Sequence, residues 1–277
     1  MWVETAVVDR QGGRRLGTAQ SVVAFEEGEV RAGGWGGERY LSIHGRRAFD
    51  LSFWCGTCPF VFERHDGANQ TLSIEDATQR LNTGLTAISD EIIELFGGLL
   101  PEGDYLPLLL RVSPRLVHPS SEGDYFSHEQ VDTWGVDPFW GLPLYPRTPY
   151  YRTPPRPIDE YATLFEFVVP LVPPSWNTAA RVTEHAERLG QSSLPTCIAL
   201  GVLDVRRRAD GDTPAQRHAH HALAHFLLDG HHKIEAAATT GRALQVLSLV
   251  SLDHSLASRG DLENLPEILA AQPDAET

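Results

Sequence analysis

Sulfur is scarce in this sequence, with three cysteines and one methionine in 277 residues. A small, odd number of cysteines does not make a disulfide framework, so the expected compartment is a reducing one. Long apolar runs are also missing. No uncharged stretch approaches the roughly 20 residues that cross a bilayer as a helix. The start, Met1-Trp2-Val3-Glu4-Thr5, lacks the basic region and apolar core of a signal peptide. These absences predict a cytoplasmic protein with no membrane segment. Positive charge is in deficit as well: 23 Lys and Arg stand against 37 Asp and Glu, for a net charge of -14. Such a surface repels nucleic acid. The basic run Arg206-Arg207-Arg208 is followed at once by Asp210 and Asp212. A small molecule is the expected partner, and nucleic acid is not.

What is present is ordinary for a globular chain: 42% hydrophobic and 22% charged residues. The length suffices for one large domain or two closely packed ones. Residues 1–116 read as β-rich with two helices. Strands are predicted over 2–8, 19–25, 40–43, 49–54 and 105–112, separated by glycine turns. One helix is predicted from a Ser73/Asp76 capping box, and another over 88–95, ended by Gly97-Gly98. Residues 117–160 form an excursion dense in proline and aromatics, including Tyr125, Phe126, Trp134, Tyr150 and Tyr151. Proline forbids long helices and central strands there, while the aromatics argue against disorder. It reads equally as the wall of a pocket or as a strap over the core.

Residues 161–260 alternate. Strands are predicted over 164–171, 196–205, 226–229 and 244–252, with a tail over 261–277 that includes a short amphipathic piece over 262–269. Helices are predicted over 177–189, capped by Asn177, and from Thr213-Pro214-Ala215-Gln216 to about 223. A further helix is predicted over 232–240. The fold class is α+β.

The stretch with the most chemistry is Leu227-Leu228-Asp229-Gly230-His231-His232-Lys233-Ile234-Glu235. An apolar strand turns at Gly230 and opens directly into a helix, whose unsatisfied N–H groups and positive dipole end favour an anion. His231, His232 and Lys233 offer donors to phosphate oxygens. Asp229 and Glu235 offer a base or a magnesium ligand.

This stretch resembles the strand–Asp-Gly-His-x-Arg–helix signature of the ParB/sulfiredoxin-like superfamily. Lys233 stands where arginine is usual. His231 occupies the place of sulfiredoxin's catalytic cysteine, which argues against sulfinic-acid reduction. The resemblance covers about a third of the chain and implies a C-terminal mixed α/β unit that holds nucleotide phosphates. It implies ATP, ADP or CTP with Mg2+ as cofactor, with Gly230, His231, His232 and Lys233 binding and Asp229, His231 and Glu235 catalytic.

Outside this stretch, Cys55-Gly56-Thr57-Cys58 has the spacing of half a zinc site or a redox pair. Cys197 reads as a buried small hydrophobe. In the run His218, His220, His221 and His225, the i, i+4 separation of His221 and His225 suits two ligands on a helix face, but the run more plainly forms a solvated face. Glu166 and Asp204 sit in apolar strand patterns and need a partner or a pocket. The expected function is a nucleotide- or phosphate-dependent enzyme acting on a small molecule, either a kinase-like phosphotransferase or a nucleotide hydrolase. The alternatives are a non-catalytic nucleotide- or metal-binding regulator and a nuclease.

Overall fold

A computed structural model describes residues 5–28, 38–53, 62–70, 72, 78–136, 145–190, 194–208 and 213–271. The Ser73/Asp76 capping box and the Cys55/Cys58 pair lie outside the described residues. The chain opens with β1 (Ala6–Arg10), β2 (Arg14–Leu16), β3 (Val23–Glu27), β4 (Glu38–Ile43), β5 (Arg46–Phe53) and β6 (Glu63–Arg64). Then come α1 (Thr78–Thr83), α2 (Asp90–Gly97), β7 (Gly103–Val112), β8 (Arg115–Val117), α3 (Glu129–Trp134), β9 (Tyr150–Arg152) and β10 (Arg156–Asp159). The last part runs β11 (Ala162–Pro170), α4 (Ala179–Gly190), β12 (Thr196–Arg206), α5 (Pro214–Arg217), β13 (Ala219–Asp229), α6 (His231–Thr240), β14 (Leu244–Ser251) and α7 (Arg259–Ala270).

Ten strands make one mixed sheet in the order β1-β7-β14-β12-β13-β11-β9-β8, with β2 added on β7 and β10 on β11. Strands β3 to β6 make a second, antiparallel sheet. The fold is α+β. At the centre, β11 runs parallel to β13 and β12 parallel to β14, while β12 and β13 are antiparallel. Strand β7 pairs along β14 from Leu244↔Val112 to Ser251↔Tyr105. Residues 1–116 and 161–260 therefore contribute to one sheet.

The central strands are buried on both faces, which is why they read as near-continuous apolar runs without alternation. One face presents Phe165, Phe167, Phe226, Leu247 and Leu249 to the second sheet and α2. The other presents Leu223, Leu227, Val246 and Val250 to α6, α7 and Leu189 of α4. The proline- and aromatic-rich excursion feeds this core. Tyr125, Phe126, Tyr150 and Tyr151 are all buried. Phe62 meets Phe126 and Tyr150 edge-on at 5.3 and 5.5 Å. The Tyr150 hydroxyl donates to Asp124 Oδ1 at 2.8 Å and accepts the Tyr125 N–H at 2.9 Å. In its described part, the excursion is a strap that carries α3, β9 and β10, with β9 paired between β11 and β8.

One predicted element is corrected. The helix from Thr213 stops after a single turn, α5, and His218 to Leu223 belong to no helix. The capping box itself is real: Thr213 and Gln216 exchange backbone-to-side-chain bonds at 3.2 and 3.3 Å. From Ala219 the chain pairs with both β11 and β12, and that ladder outweighs local helix preference. His221 and His225 thus lie on a strand, roughly 13 Å apart at about 3.3 Å per residue, too far to share a metal. No helix among the described residues is long and apolar enough to cross a membrane.

Candidate functional site

Strand β13 ends at Asp229, and Gly230 turns the chain with φ 101°. A Cβ at this position would come within 2.5 Å of Cys197 Sγ, so both the backbone conformation and the space demand glycine. Cys197 itself is buried and free. Helix α6 then starts without a capping side chain and without an acid in its first turn. The Lys233 and Ile234 N–H groups turn back to the Gly230 carbonyl. Those of His231 and His232 have no intrahelical acceptor, so the helix start keeps its positive end.

His231 is buried, and its Nε2 accepts the Leu171 N–H at 3.1 Å. Burial, with His232 and Arg64 nearby, pushes its pKa down to about 3, so the ring is neutral with its proton on Nδ1. His232 Nε2 accepts the Thr178 N–H at 3.1 Å, and burial lowers its pKa too. Glu235 does not meet His231's ring. Its Oε2 accepts from Asn177 Nδ2 at 2.6 Å, and the same amide reaches the His231 carbonyl at 3.2 Å. Asn177 therefore clamps α6 rather than capping α4, the role expected of it from the sequence.

Lys233 is 5% exposed, and its Nζ donates to the Thr196 carbonyl at 2.9 Å. Among the described residues it forms no ion pair with a carboxylate. Burial lowers its pKa, because an ammonium taken out of water is costly and the Asp229 charge offsets that cost only in part. It is also the only lysine in the chain; the other 22 of the 23 basic residues are arginine.

Asp229 to Lys233 line a cleft of about 570 Å³, and the opposite wall comes from α4. Arg181, His185 and Arg188, at i, i+4 and i+7, present one face of α4 to it, with Glu184 beside them. Arg188 holds Glu184 at 2.5 Å. His185 is pushed down to about 4 by burial and by the cations Lys233 and Arg188, and its buried Nδ1 has no hydrogen-bond partner among the described residues. Trp176, 60% exposed, lies at the rim. The arrangement can bind an anion: cationic donors from two helices converge on a helix start. Asp229 offers a carboxylate for a metal or a proton.

The α4 contribution was missed in the sequence reading, although its basic i, i+4, i+7 spacing was legible. So was the solitary lysine.

The remaining candidates are held elsewhere. Glu166 is buried and accepts from Thr153 at 2.9 Å and from Thr5, while its other oxygen meets His225 Nε2 at 3.2 Å. Desolvation opposes its charge, but His225 and the two hydroxyls prevail and its pKa is lowered. His225 Nδ1 continues to Ser248 Oγ at 2.8 Å, passing Gly201, which has no side chain to block it. Serine, histidine and glutamate thus stand in line, but none is exposed by more than 3%, and they line neither the cleft at α6 nor the apolar cavity around Phe62, Phe126 and Phe226. Asp204 pairs with Arg39 at 3.0 Å and accepts the Leu256 N–H at 2.8 Å. His220 is buried between the hydroxyls of Tyr125 and Thr133 at 2.9 and 2.8 Å. The histidine-bearing strand is core, not the solvated face expected of it.

No family model, curated protein or solved structure matches this chain.

Proposed function

We propose that the cleft at the start of α6 takes the phosphates of a nucleotide such as ATP, ADP or CTP. On this reading the protein is a nucleotide- or phosphate-dependent enzyme of ParB-like type acting on a small molecule, as a phosphotransferase or nucleotide hydrolase. The observation that carries it is the buried Lys233, without a carboxylate ion pair among the described residues, beside the uncapped α6 start and facing Arg181 and Arg188. A phosphate would supply Lys233 with a direct ion-pair partner and accept from the helix start. The partnerless His185 Nδ1 is a further polar contact, and exposed Trp176 is a stacking surface for a base.

Mg2+ keeps several waters and needs only one or two carboxylates beside the phosphates, so Asp229 and Glu184 fit its requirements. Bound there, it would neutralise developing phosphate charge. The chain's own part is to orient the phosphates through Lys233 and the α4 arginines, and to offer Asp229 as proton acceptor. A second reading, binding without turnover, draws on a specific feature. His231, Lys233 and Glu235 each already bond to Leu171, Thr196 or Asn177.

Melting the protein with each nucleotide and Mg2+ tests the site. Saturation at a hundredfold excess over Kd is worth about 2.7 kcal/mol, or about 5 °C in Tm. The Arg181→Ala/Arg188→Ala variant should fold and lose that rise. No rise with any nucleotide refutes the proposal. A rise without phosphate release or transfer in a single-turnover assay selects the regulatory reading.

A further inference from the structure

Strands β5 and β6 place a second cluster well apart in sequence from the cleft residues. Asp50 lies directly opposite Glu63 in the β5–β6 register. Two carboxylates facing each other across a ladder repel, so a cation between them is favoured. Strand alternation puts His65 on the same side as Glu63 and turns Arg64 the other way. Arg64 accordingly donates to the Leu171 carbonyl at 3.1 and 2.7 Å. One ligand atom each from Asp50, Glu63 and His65 lies within 4.8 Å of the others, and all three side chains are half-buried.

Each carboxylate is fixed through one oxygen. Arg47 Nε holds Asp50 Oδ1, and Arg147 Nε holds Glu63 Oε1 at 2.5 Å. Such outer contacts orient ligand oxygens in metal sites. Arg47 also reaches Glu38 at 3.1 Å. His65 is anchored by its N–H to the Ala48 carbonyl at 2.8 Å. Its Nε2 stands 3.0 Å from Asp50 Oδ2, outside hydrogen-bond geometry, and this buried nitrogen has no hydrogen-bond partner among the described residues.

We infer that Asp50, Glu63 and His65 bind one zinc-class divalent cation through the second carboxylate oxygens and His65 Nε2. A nitrogen donor with two carboxylates suits Zn2+ and its neighbours rather than Mg2+ or Ca2+. Three protein ligands at a half-exposed site leave a fourth position for water. The ion clamps β6 to β5. Through Arg64 and Leu171, that clamp steadies the strand end whose N–H bonds His231.

The test is calorimetric titration of ZnCl2 into the metal-free full-length protein, beside the variants His65→Ala, Glu63→Gln and Cys55→Ser/Cys58→Ser. Circular dichroism establishes which variants fold. The expected result is one equivalent whose affinity falls at least ~100-fold in either ligand variant and is retained without the two cysteines. Co2+ bound in its place should give a spectrum without thiolate charge transfer. No zinc binding by the wild type overturns the inference. So does binding that vanishes in the cysteine variant yet survives in His65→Ala or Glu63→Gln.

Discussion

Two clusters in this protein pair imidazole with carboxylate, and they differ in how completely they are satisfied. In the main sheet, Glu166 is bonded by Thr5, Thr153 and His225, and His225 is bonded again by Ser248. On β5 and β6, the His65 nitrogen faces Asp50 without a hydrogen bond, and the carboxylates keep one oxygen each beyond their arginine anchors. The first looks like a catalytic triad when written as residue types, yet it is sealed and saturated. The second is a plainer set of residues with capacity left for a ligand. Unsatisfied valence at an accessible place, rather than residue type, is what separates a site from a structural network.

Breaking the sealed cluster should have the largest effect. Glu166→Ala leaves His225 and two hydroxyls buried without their acceptor and should cost about 3–5 kcal/mol in urea unfolding. Zinc affinity should be unaffected wherever the variant still folds. A loss under about 1 kcal/mol would mean that the row is not a structural network.

Acid should reveal the buried imidazoles next. His220 and His231 have folded pKa values pushed down to about 3 from 6.5, so only the unfolded chain takes up their protons as pH falls below 6.5. Stability should be flat above that value. It should fall by up to about 1.4 kcal/mol per pH unit for each histidine, until the folded values are reached. The lowered pKa of Glu166 adds a loss in the same direction, once pH drops through its folded value. Guanidinium unfolding from pH 7 to 4.5 measures the slope, and His231→Gln should remove one histidine's share. A slope unchanged by that variant would show that His231 is not buried neutral.

The open cluster should matter least to the bare fold. Without metal, His65→Ala should shift stability by no more than about 0.5–1 kcal/mol, because the ring is only partly buried and its one polar contact, to Asp50, lacks hydrogen-bond geometry. With Zn2+ present the wild type alone should gain in Tm, which sharpens the contrast with Glu166.

Much of the fold was legible in particular residues. The apolar runs that became β7, β11, β12 and β14 were placed to within a few residues, and α2 starts one residue after Ser89, which caps it through the Ile92 N–H. The error at β13 has a physical cause. A strand buried on both faces shows no alternation, and a true capping box beside it pointed to a helix that ends after one turn. Half of the cleft was legible in Asp229 to Lys233. The other half needed the packing of α4 on α6, which no local pattern specifies.

By itself the sequence determined the α+β class, the glycine turn at Gly230 and the helix start that follows. Each depends on neighbours a few residues away and on backbone preferences that act locally. Tertiary structure decided which polar groups are used up and which are left over. It sealed Glu166 with residues from β13 and β14, the segment after β9 and the N-terminal stretch. It brought Arg181 and Arg188 to Lys233, and set His65 beside Asp50 across a strand pair. Burial and long-range pairing set the charge state and partners of these groups, so their chemistry belongs to the fold and not to the motif.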